Sequence, residues 1–440
     1  MEKSLRIYVV IAGFHPLVGG AETQCLAQCR SLWARGYEAT VITFCHDRAW
    51  LRHDVVEGVP VIRIAGAVLG RREKLPHPLQ RLLYLVALVV LHWTLWRHRT
   101  RYDIVHLYNL GLLSLPCALA CRLVGKPLVV AIQGVGEGKV GAESQNVSLM
   151  AGPLDPSTPW LRVNGRSRVN GDLESLERLG KPVVRIAHAL LRSTHAVVVI
   201  MSSRMKRYLI SHDFLLPNVQ LISNGVNSAR FAPDDRSLSF AEKAQTVVCV
   251  SRLSYEKGID VLLQAWRIVH EQAPQGRLIL VGNGLLQSQL ERLAEALGIA
   301  ASVEFAGLQR DVVAQLHRGS LAVLPSRIEG MPNALLEAMA CGLACVATRV
   351  SGSEDLIQHE VNGLLVESED YSSMAQALLG LLRDPTTARK YGSAARATIE
   401  QYYSQEHIAD MYIDLYQSAA LRTSTSGRNA YQIPVSEGRR

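Results

Sequence analysis

The chain alternates short apolar runs, rich in β-branched residues, with longer segments of helical periodicity. In its first half these runs are LRIYVVIAGF from Leu5, YEATVITF from Tyr37, YDIVHLYN from Tyr102, PLVVAIQG from Pro127, AVVVIMS from Ala196 and VQLISNG from Val219. Because the runs are continuously apolar, both faces of each strand must be covered, as in a parallel sheet between two helix layers. The pattern therefore predicts an α/β fold.

The same rhythm restarts after a polar stretch, NSARFAPDDRSLSF from Asn227. The second series is QTVVCVSRL from Gln245, GRLILVGNG from Gly276, SVEFAGL from Ser302, LAVLPS from Leu321, ACVATRV from Ala344 and GLLVESED from Gly363. Two such series predict two doubly wound, Rossmann-like domains. In sheets of this kind ligands bind at the carboxyl ends of the strands, which places the ligand in the cleft between the domains.

Composition changes along the chain mark the boundaries of the predicted parts. These parts are a first domain over 1–230 with a loop insertion at about 137–170, a hinge over 231–244, a second domain over 245–400, a C-terminal helix over 401–420 that packs back on the first domain, and a disordered tail over 421–440. The insertion is rich in Gly, Ser, Asn and Pro, which suits an ordered lid over the cleft and a disordered loop equally.

Length and charge agree with this division. A single hydrophobic core stops growing at about 250 to 300 residues, and the chain has 440. It carries 47 Lys and Arg against 39 Asp and Glu, a net charge of +8 that favours anionic partners. No run of cations alternates with aromatic residues, so nucleic acid is not an expected partner.

Eight cysteines without a Cys-x-x-Cys pair or a nearby His cluster indicate small buried hydrophobes in a reducing compartment rather than a metal site. The N-terminus runs into a first strand without a signal-peptide cleavage pattern. The apolar run Leu82 to Trp96 is shorter than the ~20 residues that a spanning helix needs. We therefore expect a cytoplasmic protein.

The densest functional signal is SRIEGMPNALLEAMACG from Ser326. Glu329 precedes a Gly-Met-Pro turn that opens a helix, and free amide groups at such a helix N-terminus bind phosphate or sugar hydroxyls. Glu337 lies one helical turn after Asn333 and on the same face. The motif therefore offers two carboxylates and several amides to one ligand.

Two further signals follow the first strand of each domain. Arg252 and Lys257 lie in SRLSYEKG, at the edge of the second sheet where a diphosphate would be held. Gly19 and Gly20 come after the first strand and immediately before a helix, so backbone amides there can approach a ligand closely.

Each of these residues also has a structural interpretation. Glu329 can complement a helix dipole, Glu337 can be an exposed helical charge, and Arg252 and Lys257 can be ordinary surface cations. An unpaired carboxylate is costly in a helix as apolar as the one around Glu337, which favours a ligand role for it.

Several other enzyme classes lack their motifs here. No G-x-G-x-x-G follows the first strand at Gly19 and Gly20, and VGNGLL from Val281 lacks the third glycine, which argues against dinucleotide enzymes. Asp-x-Asp, H-E-x-x-H and G-x-S-x-G are absent from the sequence, which argues against metal-held nucleotide sugars, zinc hydrolases and serine hydrolases. Neither a metal nor a bound cofactor is expected.

Four motifs in this order resemble those of the family-4 retaining glycosyltransferases, which have the GT-B fold of two Rossmann-like domains with the active site in the cleft. They are GGAE from Gly19, NGVN from Asn224, SRLSYEKG from Ser251 and Glu329-x7-Glu337. The similarity extends over about residues 5–416. It implies an acceptor-side first domain and a second domain that binds a UDP- or GDP-sugar as co-substrate.

The resemblance also implies roles for individual residues. Glu337 would bind the ribose hydroxyls, Glu329 the transferred sugar, and Arg252 and Lys257 the diphosphate. The remaining donor-binding residues are Gly19, Gly20, Gln133, Gly282, Asn283, Gly330, Met331, Pro332, Asn333 and Ala334.

One position departs from the family pattern. Many relatives have His-Gly where this chain has Gln133-Gly134, and glutamine carries no proton at neutral pH. His106, on the preceding strand, is the alternative candidate for a catalytic imidazole, and it is equally explained as a structural residue.

We therefore expect a metal-independent, retaining enzyme that transfers a hexose or N-acetylhexosamine to a hydroxyl acceptor, on a glycan or a lipid-linked saccharide, in cell-surface polysaccharide or glycolipid biosynthesis. A sugar-nucleotide epimerase and a non-catalytic nucleotide-sugar-binding protein remain alternatives. Residues 71–101 hold seven Lys or Arg against one Glu around an apolar helix. This composition suits peripheral docking on the inner, anionic face of a membrane, and it also suits a buried helix with solvated ends.

Overall fold

The computed structural model describes residues 4–17, 19–47, 49–65, 77–134, 147–149, 161–163, 176, 180–214, 216–234 and 245–424. Most of the predicted insertion at 137–170, most of the predicted hinge and the tail beyond residue 424 lie outside the described residues.

The strands are β1 Arg6–Ile11, β2 Glu38–Phe44, β3 His53–Val56, β4 Val59–Ile64, β5 Ile104–Leu107, β6 Leu128–Ile132, β7 Val147–Leu149, β8 Leu161–Val163, β9 Val197–Ile200, β10 Val219–Leu221, β11 Thr246–Val250, β12 Arg277–Val281, β13 Val303–Gly307, β14 Leu321–Leu324, β15 Ala344–Thr348 and β16 Leu364–Val366. The α-helices are α1 Gly20–Ala34, α2 His77–Arg97, α3 Ser114–Val124, α4 Lys181–Ser193, α5 Ser203–Ser211, α6 Ile259–Gln272, α7 Gln287–Ala296, α8 Val312–Leu316, α9 Asn333–Ala340, α10 Ser353–Leu356, α11 Tyr371–Arg383, α12 Pro385–Thr398 and α13 Gln405–Ser424.

Two large sheets organise these elements. The first has the order β10-β9-β6-β5-β1-β2-β4-β3, and it is parallel except for β3, which pairs antiparallel with β4. The second has the order β13-β12-β11-β14-β15-β16 and is parallel throughout. Every residue of β5, β6, β9, β14 and β15 is buried. The predicted α/β class with two doubly wound domains is confirmed.

Helices cover both faces of each sheet. In the first domain, α2, α3, α4 and α5 cover one face, and α1 with α13 covers the other. In the second, α6, α7 and α11 cover one face, while α9 and its neighbours cover the other. All eight cysteines are buried, and none of them forms a disulfide bond. In the described part of the chain, no helix combines the length and the apolarity needed to cross a bilayer.

The last helix belongs spatially to the first domain. Its residues Ile408, Tyr412 and Tyr416 recur every four positions, which forms an apolar stripe that is buried against the first sheet. The side-chain amide of Gln28 on α1 donates to the Tyr416 hydroxyl at 3.0 Å. The helix continues to Ser424, into the region that the sequence assigned to the tail.

Polar contacts also join the two domains near the start of α5. The hydroxyl oxygens of Ser202 and Ser351 lie 2.7 Å apart in a buried position. Arg204 forms an ion pair with Glu354 on α10 at 2.7 Å. These contacts fix the domains side by side with their strand ends facing one cleft.

Candidate active site

The order of the second sheet reverses at β11, which has β12 on one side and β14 on the other. Such a reversal opens a crevice at the carboxyl ends of the strands, where doubly wound sheets bind ligands. The segments that leave β11 and β14 at this edge are 251–258 and 325–333. They contain most of the residues that the sequence singled out.

Lys257 and Glu329 form the centre of this edge. The Lys257 ammonium donates to Oε1 of Glu329 at 2.6 Å, and the Ser326 hydroxyl donates to the same oxygen at 2.7 Å. The two charged side chains are only 17% and 7% exposed. The sequence assigned them to different parts of the ligand, but the structure joins them in one ion pair. An anion at this edge therefore competes with Glu329 for the Lys257 ammonium.

Arg327 holds the two site segments together, a role that the sequence analysis did not assign. Its guanidinium donates two hydrogen bonds of 2.7 Å to the Asp260 carboxylate and one of 2.8 Å to the Tyr255 carbonyl. It also lies 4.2 Å from the centre of the Tyr255 ring and pairs with Glu369. Burial lowers the pKa of Arg327, but the two carboxylates raise it overall above its ordinary value. The turn that carries Lys257 is thereby pinned beside Glu329.

Arg252 differs from Lys257 in its surroundings. Its side chain is 73% exposed and pairs with Glu256 at 3.1 Å on the same short segment. An exposed pair of this kind contributes about 0 to 1 kcal/mol and holds its partners loosely. Arg252 therefore lies at the predicted edge as a mobile cation.

Two glycines allow the loops at this edge to pack closely. Gly258 has φ +62°, and a Cβ there would lie 2.1 Å from the Pro325 carbonyl oxygen. Gly282 has φ +135°, and a Cβ there would lie 2.0 Å from the Ser251 carbonyl oxygen. The Asn283 carbonyl accepts a hydrogen bond from the Leu253 amide at 2.9 Å. Gly282 and Asn283 thus support the loop that carries Arg252.

The N-terminus of α9 faces the N-terminus of α1 across the cleft. The side-chain oxygen of Asn333 accepts hydrogen bonds from Gln24 at 3.1 Å and from Asn224 at 2.8 Å. Its amide nitrogen donates to the Gly20 carbonyl at 3.3 Å. The side chain of Asn333 therefore bridges the domains. The Leu335 and Leu336 amides donate to the Pro332 carbonyl at the start of α9. The amides of Asn333 and Ala334, the first two of the helix, precede any acceptor within it, which suits them to an anion.

The turn before α9 touches the first domain directly. A Cβ on Gly330 would lie 2.2 Å from the Gln133 carbonyl oxygen, so only glycine permits this approach. Met331 and Pro332 are buried, and Ala334 is half-buried in the first turn of α9. The structure thus brings Gly20 and Gln133, both assigned to donor binding in the sequence, to the same turn as Gly330.

Glu337 is the second carboxylate of the motif. It is half-buried on α9, and its carboxylate has no hydrogen-bond or ion-pair partner among the described residues. Burial raises the pKa of Glu337 to about 7, and the nearby Arg230 opposes this shift. Because the Glu337 carboxylate has no partner among the described residues, ligand hydroxyl groups can donate hydrogen bonds to it.

A further carboxylate lies in the first domain. Glu22, in the first turn of α1, is so close to Gly19 that a Cβ there would lie 2.4 Å from its Oε2 atom. It also lies beside Gly13, two residues after the end of β1. The sequence showed Glu22 as part of GGAE, but no role was assigned to it.

His106 does not lie in the cleft, and its assignment as a catalytic residue is corrected. It is completely buried in β5, where its Nδ1 atom lies 2.7 Å from the Tyr416 hydroxyl. The rings of Tyr108, Tyr412 and Tyr416 surround it, and burial lowers its pKa to about 3. It is a neutral core residue beneath α13. In the described part of the chain, no group of three or more His, Cys, Asp or Glu side chains could hold a metal ion.

Solved structures share this architecture. The chain superposes on HepE of Anabaena, solved in complex with UDP, with a TM-score of 0.67 over 94% of this chain and 100% of that one, at 20% sequence identity. The two domains and the cleft between them form the GT-B fold.

Family models and a curated relative identify the family to which the chain belongs. The family model "Glycosyltransferase Family 4" matches residues 18–230, and "Glycosyl transferases group 1" matches residues 231–398. A GDP-mannose-dependent alpha-(1-6)-phosphatidylinositol monomannoside mannosyltransferase of Mycolicibacterium smegmatis is 31% identical over 265 residues, which are 56% of this chain and 69% of the relative. The chain belongs to the family-4 glycosyltransferases, and the resemblance drawn from its four motifs is confirmed.

Other relatives match over similar lengths. A GDP-mannose-dependent monoacylated alpha-(1-6)-phosphatidylinositol monomannoside mannosyltransferase of Corynebacterium glutamicum is 29% identical over 274 residues, 58% of this chain and 67% of the relative. The chain spans 62% and 58% of the length of two further curated relatives.

Proposed function

We propose that the protein is a retaining hexosyltransferase that moves a hexose or N-acetylhexosamine from a UDP- or GDP-sugar to a hydroxyl acceptor in glycolipid or polysaccharide synthesis. The observation that carries the proposal is the ion pair of Lys257 and Glu329 at the strand-order reversal, beside the N-terminus of α9. Two relatives are named as GDP-mannose-dependent enzymes, and HepE binds UDP, so the proposal includes both nucleotides.

The arrangement suits cleavage of a bond between an anomeric carbon and a diphosphate. The leaving oxygens gain negative charge, which the Lys257 ammonium and the amides of α9 stabilise without a divalent metal. As Lys257 turns towards the phosphate, Glu329 becomes free to accept a hydrogen bond from the transferred sugar. The leaving phosphate then helps to deprotonate an acceptor hydroxyl on the same face, so that the anomeric configuration is retained.

Incubation with UDP- and GDP-sugars distinguishes this proposal from its two alternatives. A transferase forms a glycoside only when an acceptor alcohol or lipid-linked saccharide is present. Conversion of the donor to an epimer by the protein alone would support an epimerase. Binding of a donor that is not converted even when acceptors are supplied would support a non-catalytic nucleotide-sugar-binding protein.

We expect donor binding to depend on pH through Glu337. Its pKa of about 7 means that the carboxyl loses its proton near neutrality, and the ionised form accepts hydrogen bonds from ribose hydroxyls more strongly. The donor KM should therefore fall as pH rises from 6 to 8, and Glu337→Gln should raise the KM and abolish this dependence while changing kcat little. Glu295→Gln, an exposed change on α7, is the control and should keep the wild-type profile.

The same group links stability to pH. Because the pKa of Glu337 in the folded chain is raised above its ordinary value of 4.5, the folded state binds the proton more tightly than the unfolded state. Its contribution to stability is fully present below pH 4.5 and is lost as pH rises through about 7. Urea denaturation of Glu337→Gln should show less loss of stability over this interval than the wild type. Identical pH dependence in both proteins would contradict the raised pKa.

A further inference from the structure

Helix α2 exposes large apolar side chains along its outer face. Val89 is 67% exposed and Trp93 is 55% exposed, although the opposite face of the helix, with Leu91 and Leu95, is buried against the sheet. The exposed residues recur at helical spacing and are Leu79, Leu82, Leu85, Val86, Val89, Trp93 and Trp96. A surface helix normally presents polar residues to water, so this face requires a partner.

The neighbouring helices extend the same surface. Helix α2 packs against α3, and α3 packs against α4. Leu119 and Leu123 on α3 and Ile186 on α4 are also exposed. We call the outer side of α2, α3 and α4 the docking face.

Positive charge surrounds the docking face. Residues 77–134 contain a single acidic residue, Asp103, which pairs with Arg6 at 3.0 Å and Lys126 at 3.7 Å. Residues 180–195 contain none. Exposed cations without a carboxylate partner among the described residues are Arg97, Arg99, Arg101, Arg122, Lys181, Arg185 and Arg192.

The tryptophans at the end of α2 fit the boundary between lipid and water. The rings of Trp93 and Trp96 stack with their centres 4.9 Å apart, and the Arg99 guanidinium lies 4.8 Å from the centre of the Trp96 ring. Tryptophan is enriched where acyl chains meet headgroups, and arginine beside it can bind lipid phosphates.

We propose that the docking face binds the surface of an anionic lipid bilayer. A continuous apolar face with a cationic border, in which Asp103 is the one acidic residue of segments 77–134 and 180–195, matches acyl chains bordered by anionic headgroups. A second copy of this chain would carry the same positive charge, which disfavours self-association through the face. Residues 71–76 of the predicted basic segment lie outside the described residues, but α3 and α4 supply cations that the sequence hypothesis did not include.

The position of α2 relates the docking face to the cleft. A helix that connects parallel strands runs antiparallel to them, so α2 begins near the carboxyl ends of the strands, which face the cleft, and ends at Arg97 on the far side. Bound along α2, the bilayer surface would reach the acceptor side of the cleft. A lipid-linked acceptor could then enter the cleft from the bilayer. This entry route rests on the proposed function, whereas binding of the docking face to the bilayer does not.

Flotation with vesicles tests the proposal. The full chain should float with vesicles of phosphatidylcholine and phosphatidylglycerol, and float far less with phosphatidylcholine alone. Neutralising Arg97, Arg99 and Arg101 with glutamine should lower the partition about fivefold per charge. The triple change Leu82→Ser, Val89→Ser and Trp93→Ser should lower it by more than tenfold.

Two controls keep the result interpretable. Leu308→Ser with Val361→Ser removes exposed apolar residues of the second domain and should leave flotation unchanged. The docking-face variants should keep the wild-type melting temperature and the wild-type rate with a water-soluble acceptor. Equal flotation with neutral and anionic vesicles, or no flotation with either, overturns the proposal. So does a dimer in sedimentation that the serine variants dissociate while vesicle binding is absent.

Discussion

Lys257→Ala and Glu329→Gln should each lower kcat by on the order of 10²-fold and change the donor KM much less. The reason is that charge on the leaving diphosphate and at the anomeric carbon is largest in the transition state, where these two groups act. Steady-state kinetics measure kcat and the donor KM, with whichever UDP- or GDP-sugar the wild-type protein uses best. Since the two side chains share one ion pair, the double variant should lose little more activity than either single variant.

Arg252 provides an internal comparison for this prediction. Arg252→Ala should reduce kcat by a smaller factor, because the side chain is exposed and loosely held by Glu256. Arg267→Ala is the matched control, since Arg267 forms the same kind of exposed pair with Glu271 at 3.0 Å but lies outside the site. If the Lys257, Glu329 and Arg252 variants all raised the donor KM and left kcat unchanged, these three residues would serve only to bind the donor. That result would favour a non-catalytic nucleotide-sugar-binding protein.

Arg327→Met should destabilise the protein by about 3 to 5 kcal/mol, because it leaves the Asp260 carboxylate buried without its partner. The side chains of Arg327 and Asp260 are only 6% and 5% exposed. Urea denaturation measures the loss. Adding Asp260→Asn to the variant removes the uncompensated charge and should recover part of the stability.

An exposed ion pair supplies the control for Arg327. Arg349 pairs with Glu367 at 2.8 Å on the surface, and Arg349→Met should cost less than about 1 kcal/mol. If the stability losses of the two variants were equal, Arg327 would not hold the site segments together in the way inferred from its contacts.

Much of the fold could be predicted because each buried strand corresponds to a short, continuously apolar run in the sequence. Runs such as LVVAI in β6 are apolar at every position, and both faces of the strand are buried. The hairpin of β3 and β4 was not predicted, because β3 alternates exposed and half-buried residues at the sheet edge. Its turn at Glu57 and Gly58, with φ of +46° and +85°, contains no Asn-Gly or Asp-Gly signal.

The site was predictable only where its residues share a motif. Glu329 and Lys257 each lie in a motif, but their ion pair joins positions 72 residues apart, and spacing does not reveal such contacts. Arg327 has its partner Asp260 at a separation of 67 residues. The prediction that His106 lies in the active site was wrong for the same reason. Tyr416, which covers His106 in the core, lies 310 residues further along the chain. Contacts between distant segments depend on tertiary packing and carry no local pattern.

The anomeric configuration of the product tests the central claim most directly. Proton NMR of a reaction with donor, acceptor and EDTA should show a new glycoside whose anomeric configuration equals that of the donor sugar. It should form only with acceptor present and at the same rate after manganese is added. Inverted configuration would contradict retention, activity that appears only with manganese would contradict metal independence, and an epimerised donor without any glycoside would contradict glycosyl transfer itself.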